Sequence, residues 1–495
     1  YKGYTIQPYS PMAGTGLSSH ELNQPGTYKD VTDTTVTAQF KTILESLPEQ
    51  LKGDIPLYIL AWTTTPWTLP SNTALTVGKN IDYIVVSTFN QYTFEPVRLL
   101  LAKDLVTKQF GKTYELSETL ENYKSGDKKI PYRVEVEIKG SELLETRYEQ
   151  IWSESPPPLE NPENAFRVIS GDFVTTENGT GIVHTAPTFG ADDAKVAKEA
   201  CPEVPPLLIL DENSNKVPLV DLKGRFRKAV GKLGERFVKN DYYPEGEAPE
   251  RSTDVEIAIQ LKEENRAFKV EKYVHSYPNC WRTDKPILYY PLDSWFIKFT
   301  EVRDLMTELN KEINWKPKST GEGRFGNWLE NANDWNLSRS RFWGIPLPIW
   351  RTEDGKESIV IGSIGELREA IEVSKSIGLM KDNPLQEFKE GVFSNENYDL
   401  VDIHKNVVDR IILCSSEGRP MYREADLIDV WFDSGSMPYA QWHYPFENKN
   451  FIEDGRRYPA DYIAEGVDQT RGWFYTLHAI STLVFGKKAY KNVVS

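Results

Sequence analysis

The sequence predicts an α/β protein of several domains, and three observations predict it. Its 495 residues exceed what one hydrophobic core organises, so about two to four domains are expected. From about residue 46 to 250, short apolar or alternating runs of strand length recur between turn residues. Toward the carboxyl end the pattern becomes strand, short loop and helix, a βα unit.

The elements follow in order. Residues 1–45 are polar and rich in Pro and Gly, and read as short strands and loops without a core of their own. Ile55–Trp62 is an apolar run of strand length that ends at a Thr/Pro cluster. Ile81–Ser87 and Arg133–Gly140 alternate as strands do, and Leu105–Tyr123 mixes a helical stretch with a Gly stop. Pro156–Pro158 is a stiff connection. Gly179–Pro187 reads as a strand entering a loop, and Gly190–Ala200 as a helix with acids first and lysines later, as the helix dipole favours. Pro206–Val220 has two apolar runs around a polar turn, a hairpin signal, and Ser252–Phe268 is a capped helix. Residues 351–400 are charged and read as a largely helical insertion. Val407–Cys414, Asp426–Ser436 and Ala460–Gly466 are strand-like, and Asp468–Phe485 is helical.

No run approaches the roughly eighteen apolar residues of a membrane span, and no charged-then-apolar leader is present at Tyr1, so neither membrane nor secretion is expected. Cys201, Cys280 and Cys414 are far apart and form no CxxC pair, which supports a reducing, cytoplasmic setting and no thiolate metal site. The six histidines are scattered as well. A formal net charge of −15 argues against a chain whose main task is gripping phosphates. Nucleic-acid contact then falls to local basic patches, Lys223–Lys232 and Arg339–Arg341, each of which also reads as a solvated face.

Two segments carry chemistry on pattern alone. Thr63, Thr64 and Thr65 sit where a strand ends, inside Trp62-Thr-Thr-Thr-Pro-Trp67-Thr-Leu-Pro. β-Branched residues suit strands, but two prolines stop the ladder here and leave the hydroxyls in a loop. Gly179-Thr-Gly-Ile-Val-His184-Thr-Ala-Pro is followed by Gly190-Ala-Asp192-Asp193. A lone His is more often a satisfied core residue, and either Asp can serve as a helix cap. A His–Asp metal site lacks a third ligand at helical spacing.

Taken together, these two motifs resemble the editing domain of the isoleucyl-tRNA synthetases. Valyl and leucyl relatives usually carry an arginine in the Thr-rich motif, where this chain has Thr65-Pro66-Trp67. The resemblance implies that Asp193 holds the α-ammonium of a misattached amino acid. It implies that Thr63, Thr64 and Thr65 bind the amino acid and ribose and orient water, while Trp67, His184 and Asn72 line the pocket. The reaction implied is hydrolysis of valyl-tRNA(Ile) by direct attack of water. One missing methylene is worth only about 1–3 kcal/mol, a figure established on synthetases of this kind, so a second pocket is needed to reject valine. Thr188-Phe189-Gly190 departs from the Gly-His-Gly of many bacterial members.

A second resemblance lies near the carboxyl end. Glu465-Gly466-Val-Asp468-Gln469 stands between a strand and a helix, where open α/β sheets bind ligands and where a helix start offers free N–H groups. Glu465-Gly-Val-Asp-Gln-Thr-Arg-Gly-Trp473-Phe resembles the loop that holds the aminoacyl-adenylate in class I isoleucyl, valyl and leucyl synthetases. Glu465, Gly466, Asp468 and Gln469 would then contact the adenylate, and Trp473 the isoleucine side chain. Asp429-Val-Trp-Phe-Asp433-Ser434-Gly and Asp334–Pro346 resemble further segments of that domain, the latter with arginine contacts to the tRNA acceptor end. HIGH-type and KMSKS-type motifs are absent, so the chain reads as the middle of the enzyme. Cys280 has no cysteine partner near Ser10–Gly14, so no zinc knuckle is expected.

The resemblance thus implies a β-rich editing domain, a connective insertion, joined to a partial Rossmann-type parallel-sheet catalytic domain. The expected bounds are 1–45 for connective strands, 46–250 for editing, 251–300 for the return connection and 301–495 for the second part of the Rossmann domain. Implied partners are tRNA(Ile), isoleucine, valine and ATP with Mg2+ in the full-length enzyme, with a monomeric chain and no metal in this part. The alternatives are a valyl- or leucyl-type synthetase, or a non-catalytic tRNA-binding module.

Overall fold

The computed structural model describes all residues except 18, 23, 24 and 341–343, so Arg341 and Trp343 of the second basic segment lie outside the described residues. The chain forms two compact units, one of Thr5–Leu292 and one of Tyr1–Tyr4 with Asp293–Ser495.

The first unit is built on a seven-stranded mixed sheet. Its order is Ala267–Pro278, Tyr28–Lys41, Leu57–Thr63, Pro96–Ala102, Asp82–Phe89, Ile130–Lys139 and Tyr114–Leu116. Leu57–Thr63 lies inside it, antiparallel to Tyr28–Lys41 and parallel to Pro96–Ala102. It buries both faces: Leu57, Ile59 and Ala61 join one core, and Tyr58 and Leu60 the other. A strand covered on both sides has no polar alternation, which explains the unbroken apolar run. A second sheet orders Arg167–Ser170, Ala74–Val77 and Ile182–Thr185, with His184 opposite Leu75. The expected hairpin is present, Leu208–Leu210 against Lys216–Pro218.

Residues 1–45 differ from the sequence reading. Tyr28–Lys41 is a 14-residue strand, and its Val36, Ala38 and Phe40 are fully buried in the main core. Its outer half, Tyr28–Thr35, pairs with Glu271–Pro278. Thr and Asp at alternate positions hide the strand character of that half.

The second unit holds a three-stranded parallel sheet ordered Asn314–Lys316, Asn492–Val494 and Ile463–Ala464. The helix Trp473–Phe485 connects the last two and packs Phe474 and Leu477 against Phe299, Met306, Trp315 and Tyr490. The insertion at 351–400 is not mainly helical. It has one long helix, Ile364–Ser376, packed on a four-stranded antiparallel sheet of Ser358–Val360, Ile349–Thr352, Pro420–Arg423 and Ile412–Cys414. The sheet escaped notice because half of it comes from residues after 400. Asp426–Ser436 is also corrected: only Leu427–Ile428 is strand, and Val430–Ala440 is helix. Asp429 caps it by accepting the Trp431 N–H at 3.2 Å, and its other oxygen takes Trp335 Nε1 and Arg339 Nη2. Among the described residues no helix is long and apolar enough to cross a membrane.

Candidate functional site

The site begins where the Leu57–Thr63 strand stops. Thr65 leaves the strand at φ −125° and ψ 70°, and Pro66 opens a six-residue 3-10 helix through Ser71. The hydroxyls are ordered locally. Thr63 Oγ1 accepts the Thr65 N–H at 3.0 Å and lies 3.3 Å from Thr65 Oγ1. Thr68 Oγ1 donates to the Thr65 carbonyl at 2.8 Å. The Trp67 N–H donates to Asp254 Oδ1 at 2.9 Å, which ties the turn to the helix Thr253–Glu263.

Asp254 belongs to a buried ionic cluster. Lys239 Nζ is 3.2 Å from Asp33 Oδ2, 3.6 Å from Asp254 Oδ2 and 4.9 Å from the Tyr277 ring centre. Burial works against the ammonium, but Asp254, Tyr277 and Asp33 outweigh it and hold Lys239 protonated.

His184 stands on the neighbouring strand, 8% exposed. Its Nδ1 is 2.8 Å from Asn72 Nδ2, and its Nε2 is 3.0 Å from Thr68 Oγ1. Burial lowers its pKa to about 3, so the imidazole is neutral at physiological pH.

Asp193 is the third residue of the helix Ala191–Glu199. Rather than capping its own helix, its Oδ2 accepts the Ala186 N–H at 2.8 Å. Among the described residues it has no cationic partner. Burial pushes its carboxyl up to about 7, against the Ala186 N–H and with a smaller contribution from Asp192. Gly190 is required beside it: a Cβ there would lie 2.6 Å from Asp193 Cγ.

These residues meet. Thr63, Thr64, Thr65, His184 and Asp193 line one cavity of about 290 Å³, with Thr68 beside them. Trp62, Val183, Ala186 and Phe189 supply its apolar wall. Two expected lining residues do not reach it. Trp67 is 2% exposed and packs edge-on to Phe189, ring centres 5.0 Å apart, so it backs the wall. Asn72 is buried behind His184, with Nδ2 on the Ala74 carbonyl and Oδ1 taking the Tyr148 hydroxyl. Every residue of the Pro66–Ser71 turn is buried, Trp67 among them, and Asn72 follows it at 1% exposure, which the motif does not display. Thr68 was missed; its signal was position i+3 from Thr65, one 3-10 turn on.

In the second unit, Glu465, Gly466 and Asp468 are exposed at the carboxyl end of the parallel strand Ile463–Ala464. Gln469 closes the loop: its Oε1 accepts the Trp473 N–H at 2.9 Å and its Nε2 donates to Asp468 Oδ2. Trp473 Nε1 donates to the Ser434 carbonyl at 3.1 Å, which brings the two carboxyl-terminal motifs together. The Lys223–Lys232 patch is partly compensated, since Arg225 pairs with Asp221, Lys228 with Glu235 and Lys232 with Glu154. Among the described residues no group of three or more His, Cys, Asp or Glu is placed to hold a metal ion.

The model of the class I tRNA synthetases (I, L, M and V) matches residues 1–495. The chain belongs to that family. Within it, this synthetase chain is 57% identical, over its whole length, to isoleucine–tRNA ligase of Bacteroides fragilis and covers 44% of that protein. It is 58% identical to isoleucine–tRNA ligase of Cytophaga hutchinsonii, again over its whole length and 43% of the relative. The chain therefore spans less than half the length of the curated relatives it matches. Among solved structures, the P. knowlesi cytosolic leucyl-tRNA synthetase editing domain aligns with a TM-score of 0.24 and 12% identity, over 37% of this chain and 69% of that one.

Proposed function

We propose that the first unit hydrolyses valyl-tRNA(Ile), and that the second supplies part of the isoleucyl-adenylate site of an isoleucyl-tRNA synthetase. The observation that carries the first claim is the shared cavity of Thr63–Thr65, His184 and Asp193. Asp193 in its ionised form takes the substrate α-ammonium, a charge-assisted contact about twice as strong as a neutral one. The ester carbonyl then lies toward the threonine hydroxyls. Water attacks the carbonyl carbon, the carbon–ribose oxygen bond breaks, the ribose oxygen takes one of the water's protons, and valine leaves as its carboxylate with the other proton released to solvent. No nucleophilic side chain is required, so positioning carries most of the catalysis. His184, neutral and bonded at both nitrogens, serves as wall and scaffold rather than base. Phe189 and Val183 limit the space for the amino-acid side chain.

In the second unit, Glu465, Gly466 and Asp468 at the end of a parallel strand, with Gln469 and Trp473 behind them, suit a nucleotide-bearing ligand of a Rossmann-type sheet. ATP with Mg2+, isoleucine and tRNA(Ile) are the partners this reading gives the whole enzyme, in the cytoplasm.

The test is deacylation of valyl-, threonyl- and isoleucyl-tRNA substrates by the chain and by Asp193→Ala. The expected result is hydrolysis of valyl-tRNA(Ile), sparing of isoleucyl-tRNA(Ile), and loss in the variant. Undiminished deacylation by the variant sinks the role of Asp193. Binding of tRNA without any ester cleavage favours a binding module.

A further inference from the structure

Behind the cavity runs a chain of hydrogen bonds whose directions can be assigned. Tyr148 is 1% exposed and its hydroxyl lies 2.8 Å from Asn72 Oδ1. The Asn72 amide has one possible orientation. Its Nδ2 is 2.8 Å from the Ala74 carbonyl and 3.4 Å from the Thr185 carbonyl, both pure acceptors, so a flipped amide would set oxygen against oxygen. Asn72 Nδ2 is therefore the donor toward His184 Nδ1, and Nδ1 must be unprotonated. A neutral imidazole then carries its proton on Nε2 and donates it to Thr68 Oγ1. Thr68 in turn directs its own proton to the Thr65 carbonyl, inside the triple-threonine turn.

We propose that Tyr148 is a positioning residue of the editing site: by holding Asn72, it fixes the Nε2–H tautomer of His184 and thereby, through Thr68, the turn that presents Thr63–Thr65. Tyr148 touches neither the cavity nor any substrate in it. It acts by holding the Asn72 side chain in place from its oxygen end. Without its hydroxyl, Asn72 Oδ1 loses the donor that the structure gives it, and the amide is held from one side alone. Asn72 Nδ2 can then swing away from His184 Nδ1, and the Nδ1–H tautomer becomes accessible, with Nε2 an acceptor that draws the Thr68 proton off the Thr65 carbonyl. The inference rests on the editing reading for its catalytic consequence, and on geometry alone for the tautomer.

The experiment has two arms. In the first, 15N NMR of the imidazoles in the wild-type chain, with His184 assigned by its disappearance in His184→Gln, reads the tautomer without substrate. The expected result is a protonated Nε2 and bare Nδ1 from pH 6 to 8. A protonated Nδ1 or an imidazolium overturns the proposal. In the second arm, Tyr148→Phe, which keeps the ring, shifts that signal toward a tautomer mixture. It also lowers kcat for valyl-tRNA(Ile) about tenfold at little change in KM, the rate equivalent of one buried hydrogen bond. An unchanged tautomer signal in that variant overturns the proposal, whatever the activity. A wild-type chain that cleaves no ester overturns the editing reading instead, and the tautomer arm still decides the lock.

Discussion

Asp193→Asn separates the folding cost of the anchor from its use. Asp193 is half-buried, and desolvation raises its carboxyl pKa from 3.8 to about 7. A carboxyl whose folded pKa lies above its unfolded one weakens the fold when ionised, because unfolding then lets it release its proton more easily. That penalty is absent below the unfolded value of about 3.8, grows as pH rises to about 7, and is constant above. At 1.36 kcal/mol per pKa unit it approaches about 4 kcal/mol at pH 8, against under about 2 kcal/mol at pH 5. Asparagine is isosteric, can still accept the Ala186 N–H, and never ionises. The variant should therefore gain stability over the wild type, by about 3 kcal/mol more at pH 8 than at pH 5. Urea unfolding at both pH values, with this unit read by amide exchange of peptides spanning Ile182–Glu199, measures the difference. Deacylation of valyl-tRNA(Ile) should fall by about one to two orders of magnitude in the same protein, since a hydrogen bond to a charged group is lost. A stability difference that does not change with pH refutes the desolvated, ionisable anchor. A variant that is stabilised yet fully active refutes its role in holding the ammonium.

Further outcomes follow from the same geometry. The kcat/KM of deacylation should fall as pH drops through about 7, where free Asp193 takes up its proton, with no separate inflection near 6.5, because burial keeps His184 neutral down to about 3; a steady-state pH profile checks both. Gly190→Ala sets a methyl against the Asp193 carboxyl at a φ of −131°, which other residues adopt freely, so activity should fall in a chain that still folds, as circular dichroism and deacylation together will show. Phe189→Ala removes one apolar wall, and hydrolysis of isoleucyl-tRNA(Ile) should rise relative to the valyl ester in a competition assay. Lys239→Met leaves the buried Asp254 without its cation, while Asp33 keeps His275 Nε2 at 3.1 Å, so denaturant unfolding should show a loss of about 3 kcal/mol.

The parts of this site that can be read from the sequence are those whose reason is local. Pro66 and Pro70 stop a strand and leave hydroxyls in a loop, and acids followed by lysines mark the start of the Ala191–Glu199 helix. Their joining in one cavity depends on the pairing of Ile182–Thr185 with Ala74–Val77, a register that neither motif contains. The supports are less legible still. Tyr148 and Asp254 lie 76 and 187 residues from the groups they hold, and Lys239 lies 206 residues from Asp33; singly each reads as an ordinary aromatic or charged residue. Asn72 and Trp67 illustrate the converse. Both sit in a motif that points to chemistry, yet the tight turn buries them behind the wall, where one fixes a histidine and the other backs a phenylalanine.

The charge of the chain gains meaning from the same cavity. A net charge of −15 is poor equipment for gripping a phosphate backbone, and the basic segment at Lys223–Lys232 is partly neutralised by its own neighbours. The group that the proposed reaction must recognise here is not a phosphate but an ammonium. For that ligand one half-buried carboxylate with no cation of its own among the described residues is the appropriate instrument: its desolvation is left uncompensated until a cation enters. Discrimination then divides cleanly. In the proposed reaction the carboxylate takes any α-amino acid, the apolar wall of Val183 and Phe189 sorts by side-chain volume, and the hydroxyl turn acts on the ester. Each of the three stands on a different element of the first unit, so changing the volume sorted need not disturb the anchor or the hydrolytic turn.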